Sequence, residues 1–258
     1  MSFKKRLLNN VFINNIALFF RLEKYLKSAN SYWKNYHIQP DKTHREVAGY
    51  SNVKEMEEVV ESLHRNLRDT TSNYIKKGAS VLDIGCGPGL FLMDFGNDYD
   101  LTGIDLSDGM LKLARQNIPS AIFYEGDFLT RSFEKRFSLI YFIGVLQYFS
   151  INDLDRLFGK VHDLLEEDGI VFISYPHAIS AKDLSFPDLN YVSYSPAYLN
   201  TKISSKFKVL SNKHIIDNRE VGDFDKTPYK PSIPGVDKIY KNSSILIAQK
   251  RSGNSLPV

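Results

Sequence analysis

The sequence lacks most of the devices that cross-link or metal-load a chain of this size. Cys86 is the single cysteine among 258 residues, which excludes an internal disulfide and any zinc site built on several thiolates, and it suits a reducing compartment. His, Asp and Glu nowhere fall at the spacings of a metal site, so no metal is expected. An apolar run of the roughly 20 residues needed to cross a bilayer is also missing. The most apolar stretch near the start is broken by Asn9, Asn10, Asn14 and Asn15. The basic residues that open the chain are not followed by the small-x-small cleavage site of a signal peptide. A cytoplasmic protein is therefore expected. The net charge of +3 is small, but it hides an asymmetry. Residues 1–36 carry seven basic residues and one acid, residues 201–258 carry eleven and five, and the middle of the chain carries fifteen and twenty-four. A nucleic-acid enzyme would show a basic stripe on its active face, whereas this body is acidic between basic ends.

Residues 4–30 read as an amphipathic helix. Leu8, Phe12, Ile16, Phe19 and Leu26 recur at spacings of three and four, flanked by Lys4, Lys5, Arg6, Arg21, Lys24 and Lys27. Such a helix can lie on an anionic membrane from the inner face or pack on its own domain. Residues 31–54 are aromatic and polar, with Trp33, His37, His44, Arg45 and Tyr50, and are expected to form a lid. Residues 1–54 thus form a helical arm ahead of a main domain at 55–251, with a flexible tail at 252–258. The main domain opens on a helix over 55–76 with Met56, Val59, Val60, Leu63 and Leu67 inward, and places His64 at the surface.

The centre of the chain is the stretch Val81-Leu82-Asp83-Ile84-Gly85-Cys86-Gly87-Pro88-Gly89. An apolar strand ends on an acid, a glycine turn follows at once, and Leu90, Phe91, Leu92 and Phe95 continue as a helical face. Glycines in such a turn let backbone N–H groups approach a ligand closely. Strands of a regular α/β alternation follow: 100–105 ending in Asp105, 121–124 leading to Asp127, 137–143, and 169–175. Helices over 108–116 and 152–165 lie between them. Short, mostly apolar strands suit a parallel sheet covered on both faces. A helix over 195–205 and strands at 207–210 and 244–248 complete the pattern.

Residues 81–89 resemble, without a gap, the first motif of the class I S-adenosylmethionine (SAM)-dependent methyltransferases: two hydrophobic residues, an acid, and Gly-x-Gly-x-Gly around single intervening residues. A dinucleotide-binding turn reads Gly-x-Gly-x-x-Gly instead, and Gly89 comes one residue too early for it. The resemblance covers about Val81 to Ser174. It implies a seven-stranded, mostly parallel, doubly wound α/β sheet, with the last two strands as an antiparallel edge pair. The cofactor it implies is SAM. Gly85, Cys86, Gly87 and Gly89 would cradle it, and Asp83 would organise the turn and reach the methionine ammonium. Asp105, followed by Leu106, would accept the ribose hydroxyls. Asp127 would accept from the adenine amine with Phe128 against the ring, and Ile143 and Gly144 would pass the methionine part. Ser138 stands where many relatives have Asp, at the strand end away from the cofactor.

The same resemblance implies methyl transfer, and the acceptor is narrowed by what is missing. An Asn/Asp-Pro-Pro-aromatic segment does not follow the fourth strand, which disfavours exocyclic and amide nitrogens. Cys86 is badly placed for cytosine C5 chemistry. A hydroxyl acceptor needs a base, and His177, in Tyr175-Pro176-His177 after the fifth strand, is the first candidate, ahead of His37 and His44; a solvent-facing loop histidine is the other reading. Insertions at 176–200 and 216–241, rich in Tyr and Pro, are expected to shape the acceptor site. The expected reaction is methylation of an oxygen on a small molecule, a glycan or a lipid-linked acceptor. N- or C-methylation of a metabolite, or a non-catalytic binding role for the fold, are the alternatives.

Overall fold

In the computed structural model, residues 31–35, 54–176, 185–186, 191–192, 194, 196–215 and 243–252 are described. Expectations that fall outside them concern the helix at 4–30, most of the lid including His37, His44, Arg45 and Tyr50, the base candidate His177, and the 216–241 insertion.

A helix α1 (Lys54–Tyr74) precedes β1 (Ser80–Ile84), and β2 (Asp100–Asp105), α2 (Asp108–Asn117), β3 (Ile122–Glu125) and β4 (Phe137–Ile143) follow. Then come α3 (Leu154–Leu164), β5 (Leu165–Pro176), the two-residue strands β6 (Ser185–Phe186) and β7 (Tyr191–Val192), α4 (Pro196–Ile203), β8 (Phe207–His214) and β9 (Ser243–Lys250). The seven long strands form one sheet in the order β3-β2-β1-β4-β5-β9-β8. Strands β3 to β5 pair in parallel, and β9 runs antiparallel to both β5 and β8. This is the seven-stranded mixed sheet of the class I fold.

Strand periodicity explains the two cores. Val81, Leu139, Tyr141, Ile170 and Phe172 point to one face, where Val59, Val60, Leu63 and Leu67 of α1 and Leu111 of α2 cover them. Leu82, Ile84, Ile140, Phe142, Val171 and Ile173 point to the other, under Leu157, Phe158 and Val161 of α3 and Leu199 and Ile203 of α4. Both faces are dry, so the strands carry near-continuous apolar runs. Chain order reverses between β1 and β4, which opens a crevice beyond their C-terminal ends.

Two expectations need correction. Residues 90–95 do not continue as a helix. After Gly89 accepts one bond from Met93 N, the chain makes only a 3-10 turn at Leu92–Phe95 and stops at Gly96, whose φ is +56°. All four apolar residues are buried, so they fill the space under α1 rather than one stripe of a surface helix. His64 is not a surface residue either. Its Nδ1 lies 2.5 Å from Asp94 Oδ2 on that turn, and its ring lies tilted against Phe91, centroids 4.6 Å apart. The partner lies thirty residues further along the chain, beyond the reach of local periodicity. Element ends also move: β5 starts at Leu165 rather than 169, and β8 runs on to His214. Among the described residues no helix is long and apolar enough to cross a membrane.

Gly103 shows how closely β2 packs beneath the turn. A Cβ there would meet Cys86 Sγ at 2.7 Å and the Phe123 ring at 2.8 Å. Gly103→Ala is expected to lower stability by about 1–3 kcal/mol, the usual cost of overpacking, read as an earlier urea midpoint with an unchanged slope.

Candidate cofactor site

The crevice is a cavity of about 540 Å³, within the range of small-molecule and cofactor sites. Its floor is the glycine turn. Gly85 N and Cys86 N both donate to the carbonyl of Ile104, at 2.7 and 3.1 Å, which pins the turn to β2. Gly85 and Gly87 have φ of +70° and +51°, a region that favours glycine. A Cβ on Gly85 would reach within 2.4 Å of Val145 Cγ2, whereas one on Gly87 would meet nothing within 4 Å. The first glycine is therefore required by packing, and the second faces open space.

Asp105 ends β2 and ties three segments together. Its Oδ2 accepts from Gly87 N at 2.9 Å and its Oδ1 from Ser107 N at 2.9 Å. Its carbonyl accepts from Gly126 N at 2.9 Å. Ser107 caps α2 by accepting from Met110 N, as its short polar side chain favours. Burial raises the Asp105 pKa, and the Ser107, Gly87 and Leu106 N–H groups pull it back. Each carboxylate oxygen keeps a lone pair for a ligand.

Asp83 is 3 % exposed. Burial holds its carboxyl well above the ordinary carboxylate range, with a smaller lowering from the adjacent Tyr141 hydroxyl and a further rise from Asp105. The Tyr141 hydroxyl, itself buried and held well above its ordinary pKa, is the neighbour that favours the Asp83 carboxylate. Lys34 is the one basic side chain among the described residues lining the cavity, against Asp83, Asp105, Asp127 and Asp153. Among the described lining residues, one lysine thus faces four carboxyl groups.

Ten of the eleven residues expected to hold a cofactor line this cavity: Asp83, Gly85, Cys86, Gly87, Asp105, Leu106, Asp127, Phe128, Ile143 and Gly144. Gly89 is not among them. It lies against α2, where a Cβ would meet Ile118 Cδ1 at 3.1 Å and Ala114 Cβ at 3.6 Å, so it serves packing. Asp127 accepts from Leu129 N at 2.8 Å through Oδ1 and stays exposed. Phe128 is 4 % exposed and carries Lys160 over its ring at 4.9 Å. Gly144 N donates to Ser174 Oγ at 3.1 Å, and its carbonyl already accepts from Gln147 Nε2 at 2.7 Å. Cys86 is buried, and burial together with Asp83 and Asp105 pushes its thiol pKa well up, which disfavours the thiolate a nucleophile needs.

The mouth joins the start of the stretch expected to form a lid to the segment after β4. Trp33 and Lys34, on the helical turn at 31–34, line it together with Val145, Gln147, Tyr148 and Phe149 from the segment after β4. Trp33 stands edge-on to Tyr148, ring centroids 6.3 Å apart. Tyr194 and Tyr198 lie in the 176–200 stretch, where core packing is as open a reading as acceptor binding, and Tyr194 takes the core place. Tyr194 is fully buried, with its hydroxyl donating to the Phe149 carbonyl at 2.8 Å, and it stacks on Tyr198. Sequence separation hid both arrangements.

These residues fit SAM. Paired carboxylates at two strand ends suit a nucleoside, the open side of Gly87 admits close backbone approach, and the uncompensated Asp83 suits a cationic ligand.

Comparison with known proteins agrees with this geometry. Residues 81–169 match the family described as "Methyltransferase domain". The chain is 32% identical over 129 residues to EEF1A lysine methyltransferase 2 of Danio rerio, covering 46% of this chain and 55% of that protein. It is 28% identical over 113 residues to dTDP-3-amino-3,4,6-trideoxy-alpha-D-glucopyranose N,N-dimethyltransferase of Streptomyces venezuelae, covering 42% and 47%. The chain thus spans about half the length of the curated relatives it matches. Magnesium protoporphyrin IX methyltransferase from Synechocystis PCC 6803, solved with bound SAM, superposes with a TM-score of 0.59 at 13% identity over 88% of this chain and 97% of that one. Motif, sheet order and match converge: residues 81–169 carry the methyltransferase-domain match, on a sheet of the class I fold.

Proposed function

We propose that the chain binds SAM in the crevice between β1 and β4 and methylates a hydroxyl or amine of a small-molecule, glycan or lipid-linked acceptor. The observation that carries this reading is the acid-lined glycine cradle at the switch point of the sheet. Asp83, Gly85, Gly87 and Asp105 would hold the cofactor, which would supply an electrophilic methyl group on a positive sulfur, open to attack at carbon by an acceptor lone pair with the neutral thioether as leaving group. The chain's part is to align the acceptor and exclude water. The wall of Trp33, Tyr148 and Phe149 suits both tasks. Oxygen is the first choice of acceptor atom, with His177, directly after β5, taking the proton. Nitrogen is the second, favoured by the S. venezuelae relative, named for an amino sugar. A lipid-linked acceptor is the subcase that the basic amphipathic stretch at 4–30 supports.

Titration calorimetry tests the cofactor directly. Micromolar SAM binding with no response to NADH is expected, and Asp105→Ala should weaken SAM by about 10- to 100-fold, the loss of charge-assisted hydrogen bonds. Failure of SAM to bind the wild-type protein would refute the reading.

Asp83 makes a pH prediction. Its pKa in the free protein lies above the unfolded value, so the native state holds the extra proton. Stability without ligand therefore falls as pH rises from the ordinary carboxylate value toward the raised one. Only the ionised form attracts a cation, so SAM affinity should rise over that same window with release of a proton. Calorimetry in two buffers of different ionisation heat measures the release, and Asp83→Asn should abolish it.

The base is tested on turnover. His177→Ala should lower kcat by at least about 100-fold for a hydroxyl acceptor and leave an amine acceptor nearly unimpaired. Deleting residues 1–30 should abolish co-sedimentation with anionic vesicles, and unchanged co-sedimentation would remove the lipid-linked subcase.

A further inference from the structure

The glycine turn has no N–H group to spare for an anion. Gly85 N and Cys86 N both donate to the Ile104 carbonyl, Gly87 N to the Asp105 carboxylate and Gly89 N to the Cys86 carbonyl, while Pro88 has no N–H. A phosphate-binding turn leaves such groups pointing at the ligand. The segment after β4 is similarly occupied. Gly144 N donates to Ser174 Oγ, Gln147 Nε2 to the Gly144 carbonyl and Tyr148 N to the Val145 carbonyl. The Tyr148 hydroxyl is engaged by Trp33 and Gln147. Yet the methionine part of SAM carries a carboxylate beside its ammonium. That carboxylate enters a cavity lined by Asp83, Asp105, Asp127 and Asp153, where like charge disfavours it unless a cation meets it.

Lys34 is the one cation among the described residues that line the cavity. It is exposed and has no ion pair or hydrogen bond among the described residues, whereas Lys77, Lys112, Lys135 and Lys202 each pair with an aspartate. Its place fits the task. Trp33, its neighbour, stands edge-on to Tyr148, which sets this turn against the segment after β4. In the sheet order β3-β2-β1-β4, that end lies next to Asp83 on β1 and away from Asp105 and Asp127 at the ends of β2 and β3. Ser31, three residues before Lys34 and so on the same side of a helical turn, also lines the cavity. Its hydroxyl accepts from Asn35 Nδ2 at 3.3 Å and keeps its proton to donate.

We infer that Lys34, with the Ser31 hydroxyl as a second donor, binds the carboxylate of the cofactor's methionine part. The inference rests on the methyltransferase reading and assigns the anion-binding group of the same site. The two charges of the amino-acid end then meet two separate segments, the ammonium at Asp83 in the sheet and the carboxylate at Lys34 on the arm. Binding of the amino-acid end therefore requires the arm to be in place, whereas binding of the nucleoside does not.

Two ligands separate this role from a structural one. The full-length protein is titrated by calorimetry with S-adenosylhomocysteine and with decarboxylated S-adenosylhomocysteine, which keeps the nucleoside, the thioether and the ammonium. Lys34→Met should weaken S-adenosylhomocysteine by about three- to tenfold, the range of a partly exposed, charge-assisted pair. The same substitution should leave the decarboxylated ligand within about twofold, because that ligand has no group for Lys34 to hold. Lys34→Arg should keep the wild-type preference, and the Lys34-dependent difference should shrink in about 0.5 M salt, as expected for a charge pair near solvent. Unchanged S-adenosylhomocysteine affinity in Lys34→Met, or an equal loss for both ligands, would overturn the inference. No binding of S-adenosylhomocysteine to the wild type would instead refute the methyltransferase reading, and this inference with it.

Discussion

The carboxylate of Asp105 organises the strand ends on which the site depends. Its two oxygens hold the N–H of Gly87, in the turn after β1, and the N–H of Ser107, which caps α2. The backbone of the same residue accepts from Gly126 after β3. One position on β2 thus fixes the loops of three neighbouring strands relative to one another. Ile104, the residue before it, accepts both N–H groups of the Gly85-Cys86 step. A parallel sheet aligns strand ends but leaves their loops free to diverge. Two consecutive residues on β2 remove that freedom where a nucleoside would lie, and charge-assisted hydrogen bonds are among the stronger ways to do so.

This arrangement is electrostatically expensive. Asp83 and Asp105 are both raised by burial, and Asp83 further by Asp105. A fold optimised for stability alone would place a lysine or an amide beside them. Their environment instead contains the buried hydroxyl of Tyr141 and the buried thiol of Cys86. Local costs of this kind concentrate at functional sites, where sequence and structure are allowed to disagree. A cation that binds only the native state would repay the cost through linkage, so the ligand-bound protein should be the stable form. The sheet's two dry cores supply the stability that lets the free protein carry the deficit.

Much of this was legible in the sequence because it is local. The strand, acid and glycine turn at 81–89 lie in one stretch, and Asp105, Asp127 and Gly144 each sit at the end of an apolar run, where period and composition can be read directly. What escaped was set by contacts distant in sequence. His64 reads as a polar residue on a helix until Asp94 is brought beneath it. Residues 90–95 read as a helical face, yet their side chains fill a hole in the core. Gly89 matches the motif as well as Gly87 does, but only the packing of α2 shows that one faces Ile118 and the other faces the cavity. Tyr194 has the composition of a binding-site tyrosine and the environment of a core residue. Trp33 and Tyr148 are more than a hundred residues apart, and neither carries a local signal of the other.

The two ends of the cavity are mechanically one unit. Val145 lies so close to Gly85 that a single added methyl would collide with it, and Gln147 is held by the carbonyl of Gly144, whose N–H is held in turn by Ser174 on β5. The segment after β4 is anchored from beneath by the buried Tyr194 hydroxyl on the Phe149 carbonyl. The amide at the mouth therefore cannot shift without disturbing either the glycine turn or the core. Trp33 is held differently, since it reaches the site from a turn far outside the sheet and meets it edge-on through Tyr148. Preorganised polar groups select best when they do not have to move. On this fold the segment from Gly144 to Phe149 is the fixed wall, and the turn that carries Trp33 stands against it.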